Sequence, residues 1–151
     1  MTTITPFLWF DNNAEEAMHY YASIFPNSKV GEVQRAGPNG PVFGVAFTLD
    51  GQEFKGLNGG PMHKFTEAIS MFVSCETPQE VDTLWAKLTA GGEESQCGWL
   101  KDKYGLSWQI IPSVSGRLLG DKDPARAKRA LDAMMTMRKI DIKALQQAAE
   151  G

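Results

Sequence analysis

Reactive side chains are sparse in this sequence, and their neighbourhoods restrict what they can do. Of the two histidines, His19 shares a helical face with Glu15 and Ser23, away from the apolar positions, which predicts a surface imidazole. His63 stands between Met62 and Lys64 in a connector, where it is a candidate acid, base or ligand contact. Cys75 ends an apolar strand pattern and Cys97 precedes Gly98-Trp99. Neither has a histidine close in sequence and the two do not form a C-x-x-C pair, so structural thiols are expected rather than nucleophiles. No G-x-S-x-G elbow, P-loop or paired Cys/His metal motif occurs. A methyl-donor pocket of the strand-to-helix type needs a glycine-rich turn with an acidic residue beyond it. Gly59-Gly60 instead runs into Pro61, and Gly91-Gly92 follows a helical pattern as a stop signal.

What positions these groups is an internally repeated pattern. Asn13-Ala14-Glu15-Glu16 and Thr77-Pro78-Gln79-Glu80 each offer a capping oxygen followed three residues later by a Glu, and Pro78 suits the first helical position. Apolar stripes follow at Ala17, Tyr20, Tyr21 and Ile24 and, 64 residues later, at Val81, Leu84, Trp85 and Leu88. Both use the spacing that lays one helical face on a core. A strand pattern precedes each cap, over 4–10 and 69–75. Three more follow the first helix, over 30–35, 42–49 and 53–57, with Asp50-Gly51 as a hairpin turn between the last two. The second half repeats them more faintly over 95–97, 98–101 and 106–111. The duplication predicts two β-α-β-β-β modules, with a connector opening at Asn58-Gly59-Gly60-Pro61. Beyond them, Asp123-Pro124 predicts a helix to about residue 139, and Asp141 another through residue 149. Leu131, Met134, Met135 and Arg138 form a Met-rich stripe expected to pack on the sheet or on a second subunit.

The 151 residues are 42% hydrophobic and 22% charged, a composition that supplies a packed core and argues against disorder. Fifteen Lys and Arg against eighteen Asp and Glu give a formal charge of −3, so no global basic field is available to hold nucleic acid. The basic groups concentrate late. Residues 117–151 carry eight basic and five acidic groups, whereas 1–116 carry seven and thirteen, which is the pattern of a solvated helix face. No apolar run approaches the ~20 residues that a membrane span requires. The opening residues lack a basic segment followed by an apolar one, and a reduced, cytoplasmic protein is the expectation.

Two such modules, together with Asp102-Lys103-Tyr104-Gly105-Leu106-Ser107-Trp108-Gln109, resemble the vicinal oxygen chelate superfamily of glyoxalases, bleomycin-resistance proteins and dioxygenases. Trp9-Phe10-Asp11 with Ala14-Glu15-Glu16-Ala17, then Leu57-Asn58-Gly59-Gly60-Pro61, the stretch from Lys64 to Ser70, Cys97-Gly98-Trp99-Leu100, and Met137 to Ile142 narrow the resemblance. They are similar to the PhnB-like group, whose domain carries the label 3-demethylubiquinone-9 3-methyltransferase. No methyl-donor motif stands behind that label here. The resemblance implies an α+β fold in which the two modules form a curved, mixed eight-stranded sheet with an open cleft, followed by a C-terminal helical extension. It implies one domain over 1–151, with module one at 1–60, module two at 67–113 and the tail at 122–150, and pairing as a homodimer.

The superfamily also implies a divalent metal held by His, Gln or Glu on the first and last strands of each module. Carried onto this chain, the last-strand position of module two is Gln109, and its counterpart in module one falls near Gly56 or Asn58. First-strand positions fall near Ile4, Thr5 or Pro6 and near Ile69 or Ser70, where neither imidazole nor carboxylate is present. Amides and hydroxyls alone compensate a divalent charge poorly, so no metal and no other cofactor is expected. The expected function is binding of a small organic molecule in the sheet cleft, with no reaction assigned. Candidate contacts are Trp9, Asn58, His63, Trp99, Lys101 and Gln109, and Phe7, Phe54, Phe72 and Trp108 add aromatic surface nearby. If Gln109 faces the cleft, alternation turns Trp108 beneath the helices. One rival is a metal-dependent isomerase, lyase or dioxygenase recruiting its ion through Gln109 with His63 or with substrate oxygens. Another is an interaction protein acting through its basic, Met-rich tail. Neither nucleic acid nor membrane is expected as a partner.

Overall fold

Alternating apolar residues cover only one face of a sheet, so each module needs a helix to bury that face. In the computed structural model, which describes residues 1–151, Met1–Phe65 and Thr66–Gly151 form two compact units. Each holds one mixed four-stranded sheet with its helix. The fold is α+β, built of two β-α-β-β-β modules and a helical extension, with the eight strands divided four and four and neither sheet closed.

The first unit contains β1 (Phe7–Phe10), α1 (Ala14–Ile24), β2 (Lys29–Arg35), β3 (Val42–Leu49) and β4 (Gln52–Asn58), in sheet order β1-β4-β3-β2. β1 runs parallel to β4, and the remaining pairs are antiparallel. Asp50 (φ 47°) and Gly51 (φ 82°) supply the two left-handed residues that a tight β3–β4 hairpin requires. α1 buries Ala14, Ala17, Met18, Tyr21 and Ile24; Met18 is fully buried, whereas Tyr20 of the expected stripe is only half-buried. Beneath the helix, Phe47 stacks on Phe54 at 5.4 Å and on Tyr21 at 6.2 Å. The expected cap is replaced. The Asn13 side chain makes no cap hydrogen bond, and Asn58 Oδ1 instead accepts from the Ala14 N–H at 2.8 Å.

The second unit contains β5 (Met71–Cys75), α2 (Pro78–Thr89), β6 (Glu93–Glu94), β7 (Trp99–Lys101) and β8 (Ser107–Pro112), in order β5-β8-β7-β6. Here the predicted cap forms: Thr77 Oγ1 accepts from the Glu80 N–H at 3.2 Å, and Glu80 reaches back to the Glu76 N–H. Val81, Trp85 and Leu88 fill the helix–sheet interface. The strand expected over 95–97 lies earlier, at Glu93–Glu94. Cys97 (φ 57°) and Gly98 (φ 84°) turn the chain instead, with the Trp99 N–H donating to Gln96 O and the Ser95 N–H to Trp99 O. Asp102, buried at 3% exposure, organises the β7–β8 turn. Its Oδ1 accepts from the Tyr104 and Leu106 N–H groups at 2.8 and 3.1 Å, and its Oδ2 from Trp108 Nε1 at 2.9 Å.

The rest of this unit is helical: α3 (Ser113–Leu119), absent from the sequence expectation, then α4 (Pro124–Met134) and α5 (Ile142–Glu150). Ala130, Ile140, Leu145 and Ala149 form a core, flanked by Leu118, Ala133, Met134 and Met137. The Met-rich stripe therefore divides: Met134 packs inward, whereas Leu131 and Met135 are exposed. α4 stops before the expected residue 139 because the chain beyond it bonds elsewhere. Met137 O accepts from the Cys97 N–H at 2.8 Å and Arg138 O from the Gly98 N–H at 2.7 Å. Glycine is required at 98, since a Cβ there would sit 2.7 Å from Ile111 Cδ1 in a left-handed backbone. No helix is long and apolar enough to cross a membrane.

Two stability predictions follow from these contacts. Asp102→Ala strands three donors at once and is expected to lower the unfolding free energy by about 2–4 kcal/mol in urea melts; a loss below about 1 kcal/mol would show that the carboxylate is dispensable. Burial, reinforced by Glu80 and Glu76, pushes the Cys75 thiol up from 9.0 to about 11. Between those values the unfolded chain sheds a proton that the native chain keeps, so stability falls as pH rises through this window and is unaffected below it. Comparison of urea melts at about pH 8 and pH 10.5 should show an alkaline loss that Cys75→Ala reduces by about 1–2 kcal/mol; equal losses in both proteins would refute this.

Candidate functional site

In module two, α2 packs on the face of β8 that carries Trp108 and Ile110; of the alternate residues Gln109 is half-buried, whereas Ser107 and Ile111 are buried. Strand register sets Phe72 beside Gln109 and Gln109 beside Trp99. An exposed phenyl, a half-buried amide and a half-buried indole thus form one row across three strands. In the next row, Ser107 lies beside Lys101 and Lys101 beside Glu93. Gln109 Nε2 donates to Ser70 Oγ at 2.9 Å, which orients the amide and leaves its oxygen available as an acceptor. Lys101 Nζ pairs with Glu67. That hydrogen bond holds the Glu67 carboxyl below its ordinary range and raises the Lys101 ammonium above its own. Two contacts therefore tie the segment ahead of β5 to this face.

Module one presents a corresponding surface. α1 covers Leu8, Phe10, Val45, Phe47 and Phe54, while Phe7, Lys55 and Ala46 form one row of the opposite face and Trp9, Leu57 and Gly44 the next. Gln34 lies opposite Gly44, where a Cβ would stand 2.7 Å from Gln34 Oε1; the missing side chain lets the amide lie across the strand. A cavity of about 300 Å³ opens over Phe7, Phe43, Leu57, Gln34 and Lys55. At its side, Trp9 Nε1 donates to Gly60 O at 2.9 Å, and the indole meets His63 edge-on at 4.7 Å.

The sequence-predicted residues divide into groups. Trp99, Lys101 and Gln109 share the helix-free face of module two, and Trp9 touches His63 in module one. Asn58 is turned toward α1: its Oδ1 takes the Ala14 N–H, and its Nδ2 donates to Val42 O at 3.1 Å. Both ends of that amide are thus engaged in the fold. Phe54 and Trp108 are buried on the helix sides of their sheets, and His19 is exposed. Glu67, Ser70 and Lys55 were not anticipated. Glu67 sits in a connector without periodicity, Ser70 falls within the expected strand but enters there only as a metal-ligand position, and Lys55 becomes visible only once the β1–β4 register is known.

That register also identifies the module-one counterpart of Gln109. Lys55 lies opposite Phe7 as Gln109 lies opposite Phe72, whereas Gly56 and Asn58, the positions nearest to expectation, face α1. A neutral amide in one module and an ammonium in the other do not suit a divalent ion, and no three His, Cys, Asp or Glu side chains converge enough to hold one. The donor set does not fit the superfamily's metal.

The sequence profile described as 3-demethylubiquinone-9 3-methyltransferase matches residues 2–111. Among solved structures, a PhnB protein of Bacillus cereus carrying the same methyltransferase description is 38% identical, with a TM-score of 0.69, over 74% of this chain and 100% of its own. PA1353 of Pseudomonas aeruginosa is 16% identical, with a TM-score of 0.59, over 74% of this chain and 98% of its own. A variant of the fosfomycin resistance protein FosX of Listeria monocytogenes, solved with Mn(II) and 1S,2S-dihydroxypropylphosphonic acid, is 14% identical, with a TM-score of 0.56, over 78% of this chain and 99% of its own. At the two lower identities the likeness is one of fold. No protein of curated function matches the chain. The profile spans both modules, and the Bacillus cereus relative is covered from end to end. The chain belongs to the 3-demethylubiquinone-9 3-methyltransferase family, together with the PhnB protein of Bacillus cereus.

Proposed function

We propose that this protein binds a small organic molecule on the helix-free surfaces of its modules, without a resident metal, and that it does so as a cytoplasmic homodimer. The observation that carries this reading is the Phe72–Gln109–Trp99 row. A fixed amide with a free oxygen stands between two aromatic rings that no helix covers. Such a row offers an apolar guest two surfaces to pack on and one hydrogen-bonding group to orient it, the usual composition of a small-molecule site. The cavity beside Lys55 and the Trp9–His63 pair offer module one similar chemistry. Of the six candidate contacts, Trp9, His63, Trp99, Lys101 and Gln109 are assigned to binding. Asn58 is assigned to holding the start of α1 in place.

The metal-dependent alternative loses support at the same two positions, because Lys55 would repel a cation and Gln109 offers it no charge. A methyltransferase reaction gains none, since no methyl-donor motif accompanies the family's description. A thermal-shift screen of the full chain against small aromatic acids, amines and amides is the direct test. A guest at about a hundred times its Kd should stabilise the native state by about 2.7 kcal/mol, and Gln109→Ala or Trp99→Ala should weaken it about tenfold. Metal analysis after dialysis against Mn, Fe, Ni or Zn should find less than one ion per chain. Stoichiometric tight binding, or hits whose affinity ignores both substitutions, would overturn the proposal.

A further inference from the structure

At the β6 end of the module-two face, Glu93, Lys101 and Ser107 lie side by side across β6, β7 and β8. With Trp99 and Glu67 they line a cavity of about 150 Å³, several times the ~30 Å³ share of one water molecule. The fold leaves two features there without a use. The first is the Ser107 hydroxyl, which has no hydrogen-bond partner although the residue is only 1% exposed. A buried polar group left in that state is costly, and in a native protein it calls for an explanation, a bound group among them. The second is charge. Glu67 is neutralised by Lys101. Glu94, which also lines the cavity, accepts from Trp85 Nε1 at 2.6 Å and lies 3.9 Å from Arg138. Glu93 forms no ion pair and feels only the field of a Lys101 already bonded to Glu67, so the lining carries three carboxylates against one ammonium, beside an orphan hydroxyl and an indole.

We propose that this cavity takes the ammonium group of a small organic amine. Ser107 Oγ accepts one N–H, Glu93 balances the charge, and Trp99 supplies an aromatic wall of the kind that favours cations. An anionic guest would have to displace Glu67 from Lys101 and then lie beside Glu93. A bare metal ion would lack three converging ligands. The inference rests on the reading of this face as a small-molecule site and names the chemistry of the guest's polar end.

The test uses the full-length, isotopically labelled protein titrated with ethylammonium chloride, and in parallel with propionate and acetamide at constant ionic strength. Ethylammonium should produce saturable shifts of the Trp99 indole and of the Glu93 and Ser107 amides, with an apparent Kd in the millimolar range set by so small a probe, about −4 kcal/mol or weaker. Glu93→Gln should weaken binding about three- to fivefold, as expected for one exposed charge, with the melting temperature unchanged. Ser107→Ala should weaken it as well, and the exposed Glu93 keeps the test valid if that variant folds poorly. Preference for propionate, shifts that stay linear to about 200 mM, or equal affinity in Glu93→Gln would overturn the assignment. If ethylammonium fails while a screening hit still perturbs Gln109 and Trp99, the ammonium assignment falls alone. If neither perturbs them, the wider binding proposal falls with it.

Discussion

One helix per sheet is the constraint from which the arrangement follows. With side chains alternating along every strand, α1 and α2 each claim one set of positions and surrender the other. Leu8, Phe10, Val45 and Phe54 in the first unit, and Trp108 and Ile110 in the second, form the buried sets. Phe7, Lys55, Phe72, Gln109 and Trp99 belong to the surrendered sets. Chemistry is open only to the latter, whatever a residue's type suggests. Asn58 and Asp102 illustrate the point: both are polar and well suited to binding, yet both are spent on backbone donors that the fold would otherwise leave unsatisfied.

The sequence made the architecture readable because the duplicated signals were local. Caps, stripes and the Asp50-Gly51 turn each depend on residues within a few positions of one another, and the two helices appear with the expected faces. Two of the departures involve partners distant in the chain. Asn13 loses its capping role to Asn58, which reaches the same helix end from β4. α4 ends early because residues 137 and 138 are drawn to the turn at Cys97-Gly98. α3 begins directly after β8 at Ser113, with no side-chain cap to announce it.

The candidate site divides along the same line. Trp99, Lys101 and Gln109 could be assigned to one face by counting along strands, and Trp108 to the other. Lys55 could not, because its equivalence to Gln109 depends on a parallel pairing whose register no local pattern encodes. That pairing gives the surface its electrostatic character: the two modules present an ammonium and an amide at matching positions. A repeated fold need not carry repeated chemistry, and fold alone does not decide it.

The helical tail lies beyond the span matched by the family profile, yet its backbone carbonyls at Met137 and Arg138 grip the two residues immediately before Trp99. These two bonds anchor the turn that leads into β7, so the tail helps to set where the backbone of Trp99 begins. A substitution in the tail can therefore be felt at the start of a strand to which the tail does not belong, through main-chain atoms alone.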